Sequence, residues 1–185
     1  MKTKYLLFVL LLGTSCFAFK QEHLDQLKKT RSCPNCNLSS ASLYEAILYR
    51  ANLSKADLSE ANLARADLRK ANLFYANLFY ADLSRANLTS TNLSYTILSG
   101  ANLREAILFY ANLFYANLPE AILAGADLTG AVLLRANLFY ADLTGADLTG
   151  AILTGADLSG ATCDLWTKFP DGSGYHCDNG KVVSG

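Results

Sequence analysis

The chain is poor in the residues that most catalysis needs. It holds 2 histidines in 185 residues, His23 and His176, one near each end. No Ser-His-Asp set assembles from such a pair, and no glycine-rich loop precedes a helix to cradle a phosphate. Charge of one sign is missing too, since 16 basic residues face 16 acidic ones. That balance excludes a basic nucleic-acid face and a strong acidic field alike. Long apolar runs are absent: the stretch from Tyr5 to Leu12 is far shorter than the roughly 20 residues a membrane-spanning helix needs.

What is present is a repeat. Every fifth residue from Leu38 to Leu158 is leucine. Alanine stands two residues before each, with Cys36, Thr91 and Thr96 as the departures. The residue between them is usually Asn or Asp, so the unit reads A-(N/D)-L-x-x. An α-helix turns about 100° per residue, so leucines five apart spray around its whole circumference. Gly100, Gly125, Gly130, Gly145, Gly150, Gly155 and Gly160 also fall inside the pattern, each costing a helix about 1 kcal/mol. A flat strand fails because its period of two sends leucine to alternate faces. What remains is a coil of very short strands, with Ala and Leu inward, two residues turning the chain, and coils stacked about 4.8 Å apart. No coil buries its own inner face, so stability comes from stacking.

Over residues 37–161 this unit resembles the pentapeptide-repeat family. The resemblance implies an all-β solenoid: a right-handed quadrilateral parallel β-helix with four repeats per turn. It would have about six coils and a length of roughly 30 Å at that rise.

The flanks read differently. Residues 1–18 are expected to be a signal peptide: Lys2 and Lys4 precede the apolar run, and Cys16-Phe17-Ala18 supplies small residues for cleavage. Acylation of Cys16 as a lipoprotein is a weaker alternative, because Gly13 stands where such signals carry a bulky aliphatic. Export, to a periplasmic or extracellular address, follows from the signal and favours disulfides. Residues 19–36 form an N-terminal cap, with a short helix over 21–30 and the Cys33-Pro34-Asn35-Cys36 motif. Residues 162–185 form a C-terminal cap around Trp166, Phe169 and Cys177, ending in a tail from Val182 expected to fray.

The mature chain keeps Cys33, Cys36, Cys163 and Cys177, which allow three pairings. On a rod, Cys36 and Cys163 lie at opposite ends, beyond the about 7 Å Cα limit. That leaves Cys33–Cys36 and Cys163–Cys177 as staples. The same separation rules out a four-cysteine zinc site, and a redox role for the CxxC motif lacks a βαβ setting. No metal, cofactor or catalytic residue is assigned, and no enzyme activity is expected.

With four repeats per coil, residues 20 apart stack. One corner then reads Lys55, Tyr75, Tyr95, Tyr115, Arg135, with Phe74 and Phe114 beside it. The adjoining face carries Phe79, Tyr80, Phe139 and Tyr140, and another carries Phe109 and Tyr110. Stacked rings stabilise a β-rod, with Lys55 and Arg135 placed to cap the tyrosine column. Exposed aromatic surface also marks interaction sites, so these eleven aromatics form the candidate surface. Glu45, Arg65, Arg85 and Glu105 form a charged column, and Asn52, Asn72, Asn92 and Asn112 an amide ladder. Asp127 and Asp147 stack without a histidine, a poor metal site.

The expected function is a non-enzymatic structural or protein-interaction module, with self-association through the aromatic corner included. A cell-envelope or carbohydrate-binding module is the alternative, since planar rings also stack on sugars. The resemblance further suggests mimicry of DNA to protect a topoisomerase. Residues 38–160 carry eight basic and eleven acidic side chains, too near balance for that role, and an export signal argues against it.

Overall fold

The computed structural model describes residues 20–185. The expected signal peptide, residues 1–18, and with it Cys16, lie outside them.

Each pentapeptide closes on itself through one turn. The alanine N–H of the next unit donates to the leucine carbonyl, as in Ala51 to Leu48 at 2.9 Å and Ala111 to Leu108 at 2.9 Å. The last residue of the unit is the only one held at positive φ, for example Tyr75 at 58° and Gly130 at 66°. That is the type II pattern, in which the third turn residue adopts the left-handed region. The Asn or Asp before leucine stabilises the same turn. Its side-chain oxygen accepts the N–H two residues on: Asn72 from Phe74 at 3.2 Å, Asp127 from Thr129 at 3.0 Å. This Asx turn explains a preference that the spacing argument left without a cause.

Successive coils pair as parallel bridges between residues 20 apart, from Ser32↔Asn52 to Asp142↔Thr162. Leucine N–H groups donate along the rod to the next coil, as in Leu93 to Asn112 O at 2.7 Å. Each face contributes one bridged residue per pair, too little for an extended strand. Leu53 to Leu148 are sealed, with alanines between them, in one continuous core. Thr91 and Thr96, in the inward alanine position, are also fully buried. Their hydroxyls donate to Leu68 O at 2.7 Å and Leu93 O at 2.6 Å.

Helix α1, Gln21–Thr30, lies across the first coil through Leu24 and Leu27. Glu22 in its first turn and Lys28 and Lys29 in its last complement the helix dipole. The frame begins before residue 37. Ser32 already bridges Asn52, and Cys33 fills the leucine position, with Cys36 in the alanine position. A disulfide joins them, Cα atoms 5.4 Å apart.

At the other end Cys163, also in a leucine position, is bonded to Cys177 with Cα atoms 5.8 Å apart. The C-terminal tail does not fray. Strands β1, Tyr175–Asp178, and β2, Lys181–Ser184, form an antiparallel hairpin. Asn179 and Gly180 turn it at φ 47° and 77°, the primed turn that suits strand twist. Val182 N–H then docks on Ala161 O at 3.0 Å. The Asn179-Gly180 pair was the available signal.

Candidate functional site

The aromatic corner is assembled by the 20-residue register. Tyr75 and Tyr95 stack with centroids 4.9 Å apart and planes 10° from parallel. Tyr95 and Tyr115 repeat this at 5.3 Å and 7°. Phe74 and Phe114 meet the middle ring edge-on, at 5.9 and 5.5 Å. Both arrangements suit the ring quadrupole. The cluster exists because Tyr occupies one turn position in three successive coils, and Phe precedes it in the outer two. Ser94, between the two phenylalanines, is covered and buried.

The column is capped at one end. Arg135 lies 5.5 Å from the Tyr115 centroid, and its Nη1 donates to the Tyr115 hydroxyl. At the other end no described cation–π contact joins Lys55 to Tyr75. Two further cation–π contacts, not visible in the aromatic columns, bring Arg50 and Arg69 to 5.2 and 5.6 Å from the Tyr49 ring centroid.

Phe79–Tyr80, Phe109–Tyr110 and Phe139–Tyr140 are separate edge-to-face pairs, centroids 4.3–4.4 Å apart. They do not join the central stack. Tyr80, Tyr110 and Tyr140 each fold over the glycine one coil on. A Cβ at Gly100, Gly130 or Gly160 would run into the respective ring. Tyr75, Tyr80, Tyr110 and Tyr140 stay between 51% and 61% exposed, on three different corners of the rod.

Elsewhere the outside is ordinary. Arg65–Glu45 at 3.4 Å and Arg85–Glu105 at 2.9 Å are exposed ion pairs, which solvent and salt screen. Arg85 holds the Glu105 carboxyl below its usual range. The amide ladder is bonded through Asn52, Asn72 and Asn92 at 3.3–3.4 Å. Asn112 keeps the turn contact that all four share, accepting from Phe114 N–H at 3.0 Å, but among the described residues makes no side-chain bond to Asn92. Asp127 and Asp147 do stack, but Asp147 is taken by Lys168 at 2.7 Å. Among the described residues no three His, Cys, Asp or Glu side chains converge to hold a metal, and no helix is long and apolar enough to cross a membrane.

A square β-solenoid with five-residue sides and an aromatic flank is thus the class that fold and surface define. Residues 36–73, 71–108, 106–139 and 133–162 match the model for pentapeptide repeats. The chain belongs to the pentapeptide-repeat family, whose members form right-handed β-helices. Among solved structures, a pentapeptide repeat protein from Nostoc PCC 7120 is 43% identical over 49% of this chain and 75% of its own, with a TM-score of 0.49. HetL, a pentapeptide repeat protein involved in heterocyst differentiation regulation in Nostoc sp. strain PCC 7120, is 38% identical over 77% of this chain and 73% of its own, at 0.40. One from the thylakoid lumen of Arabidopsis thaliana is 34% identical over 45% of this chain and 60% of its own, at 0.43. The comparison with curated proteins gives no match.

Proposed function

We propose that this protein is an exported, non-enzymatic solenoid of about six coils that holds a protein partner on its aromatic corner. The observation that carries this reading is the Tyr75–Tyr95–Tyr115 stack with Phe74 and Phe114 edge-on. Those rings are already ordered by one another, so little side-chain entropy is lost when a partner covers them. Tyr75 is still 51% and Tyr115 38% exposed, leaving apolar area for a contact to remove from water. Two bonded cysteine pairs fit an oxidising compartment, in keeping with the signal-like residues 1–18.

The test is the triple variant Phe74→Ser, Tyr95→Ser, Phe114→Ser. Cross-linking in the native compartment should capture a partner with the parent protein and lose it with the variant. Equal capture by both would confine the aromatics to stabilising the rod.

A second reading rests on Tyr80 and Tyr140, which lie against Gly100 and Gly160 and are each 56% exposed. An open ring face of that kind suits stacking on a sugar. Retention on envelope polysaccharide, abolished by Tyr80→Ser with Tyr140→Ser and untouched by the triple variant, would select it.

A further inference from the structure

The C-terminal cap covers the last coil unevenly. On two faces it continues the ladder: Leu148 N–H donates to Lys168 O at 2.8 Å, and Val182 N–H to Ala161 O at 3.0 Å. On the other two faces, residues 151–160, the ladder stops. Ile152 and Asp157 bridge back to Val132 and Asn137 and have no bridge forward among the described residues. Among the described residues, the N–H groups of Leu153, Gly155 and Leu158 and the carbonyl of Ala151 have no hydrogen bond. One coil earlier, the N–H groups of Leu133, Arg135 and Leu138 and the carbonyl of Ala131 are all bonded. The core leaks at the same place. Ala151, Leu153, Ala156 and Leu158 are 6, 5, 9 and 4% exposed, against 0, 0, 1 and 0% for Ala131, Leu133, Ala136 and Leu138.

Residues 170–173 and Tyr175 stand beside this edge and bound with it an open cleft of about 500 Å³, lined by Ala151, Leu153, Gly155, Pro170, Gly172 and Tyr175, a size typical of ligand pockets. A smaller cleft of about 170 Å³ continues between residues 156–159 and Tyr175, Val182 and Ser184. The flat end of a second rod, stacking coil on coil, would have to share this edge with residues 170–173 and Tyr175, which already line it. The cleft leaves room for one extended chain.

We infer that this slot binds an extended segment of another polypeptide by parallel β-strand addition. The register follows from the coils above. One peptide N–H donates to Ala151 O, and two peptide carbonyls accept from Leu153 and Gly155 N–H. The bound segment places a small side chain over Ala151 and an aliphatic one, two residues on, over Leu153, as each coil does for the next. The site is at the end of the rod and does not depend on the aromatic corner.

The probe is acetyl-Ala-Asp-Leu-Thr-Gly-amide, one repeat of this chain, with its N-methyl-aspartate form as control. The readout is amide exchange by NMR on the full mature protein. Without peptide, the Leu153 and Gly155 amides should exchange at least about tenfold faster than those of Leu133 and Arg135. Saturating peptide should slow them about tenfold, and the N-methylated form, lacking the donor to Ala151, should bind more weakly. Thr154→Phe fills the cleft at a position where Phe74, Phe79, Phe109, Phe114 and Phe139 sit in other repeats, so the coil tolerates it. It should abolish the peptide effect while the rest of the spectrum stays unchanged. The inference fails if both amides are protected without peptide, if that protection fades on dilution (a second copy on the edge), if the peptide perturbs only the tyrosine corner, or if Thr154→Phe leaves its effect intact.

Discussion

Every unit ends on a residue at positive φ, and this one position decides what the rod shows to solvent. Non-glycine residues there give up about 1–2 kcal/mol each to the left-handed region. The turn bond and the Asx contact hold them in place. Toward the C-terminus glycine takes over, and Gly150 has open space where its Cβ would be, whereas Gly100 lies under the Tyr80 ring. Gly150→Ala should therefore cost about 1 kcal/mol from backbone strain alone. Gly100→Ala should cost more and swing the Tyr80 ring outward, as urea unfolding and the Tyr80 ring shifts would record. Inside the rod the scale is different: Leu93 is fully buried, so Leu93→Ala should lose about 2–5 kcal/mol. Tyr95→Ser, on the outside, should lose about 1 kcal/mol. Equal losses in thermal unfolding would overturn the inside–outside assignment. That assignment was legible in the sequence because a period of five admits only one way of bringing Ala and Leu together. The role of Asn and Asp was not, because a two-residue Asx contact leaves no periodic trace beyond their presence. Nor was the fate of the Thr91 and Thr96 hydroxyls, which depends on which carbonyls face inward.

At the scale of elements, the ends are where reading along the chain fell short. The CxxC motif was visible, but its place in the coil frame needed one further step back from Leu38. The hairpin at 175–184 went unread although Asn179-Gly180 signals it. It is pinned through Cys177 to Cys163, closing a short loop, so removing both sulfurs should destabilise the cap by about 2–4 kcal/mol. Cys163→Ser with Cys177→Ser should free the β1 and β2 amides to exchange while those near Leu93 stay protected. The loop before the hairpin is held by Asp164. Its Oδ1 accepts from the N–H groups of Gly145 at 2.8 Å and of Trp166 and Thr167 at 3.0 Å. Donation from Gly145 is the main reason its carboxyl sits below the usual aspartate range, with Thr167 and Trp166 adding to it. A depressed folded value means this contribution is complete above an unfolded aspartate pKa of about 3.9, and fades as pH falls through the folded value. The loop around Leu165 and Trp166, 98% and 78% exposed, should loosen only in that acid window. Heteronuclear relaxation of the Trp166 amide against pH measures this, and Asp164→Asn should remove the acid transition.

For the whole molecule, the core repeats every five residues while each outer column repeats every 20, and the two periods can be separated by deletion. Five was written openly in the sequence; four units per coil came from the family resemblance, and the bridges between residues 20 apart supply it directly. Removing Ala116–Arg135, one whole coil, leaves Ala and Leu in frame and keeps the Tyr75–Tyr95–Tyr115 column intact, minus the Arg135 cap. Removing Ala101–Glu105, one repeat, also keeps the core in frame. It moves everything beyond by one corner, so Glu120 arrives under Tyr95 and Tyr115 leaves the stack. Because stability in a solenoid is close to a sum over neighbouring coils, the shorter deletion should be the milder one by calorimetry. A partner that reads the tyrosine column should behave the opposite way, binding the protein that lacks 20 residues and ignoring the one that lacks five. Should binding instead track stability, or survive both deletions, the rod would be acting as a spacer whose corners are free to vary.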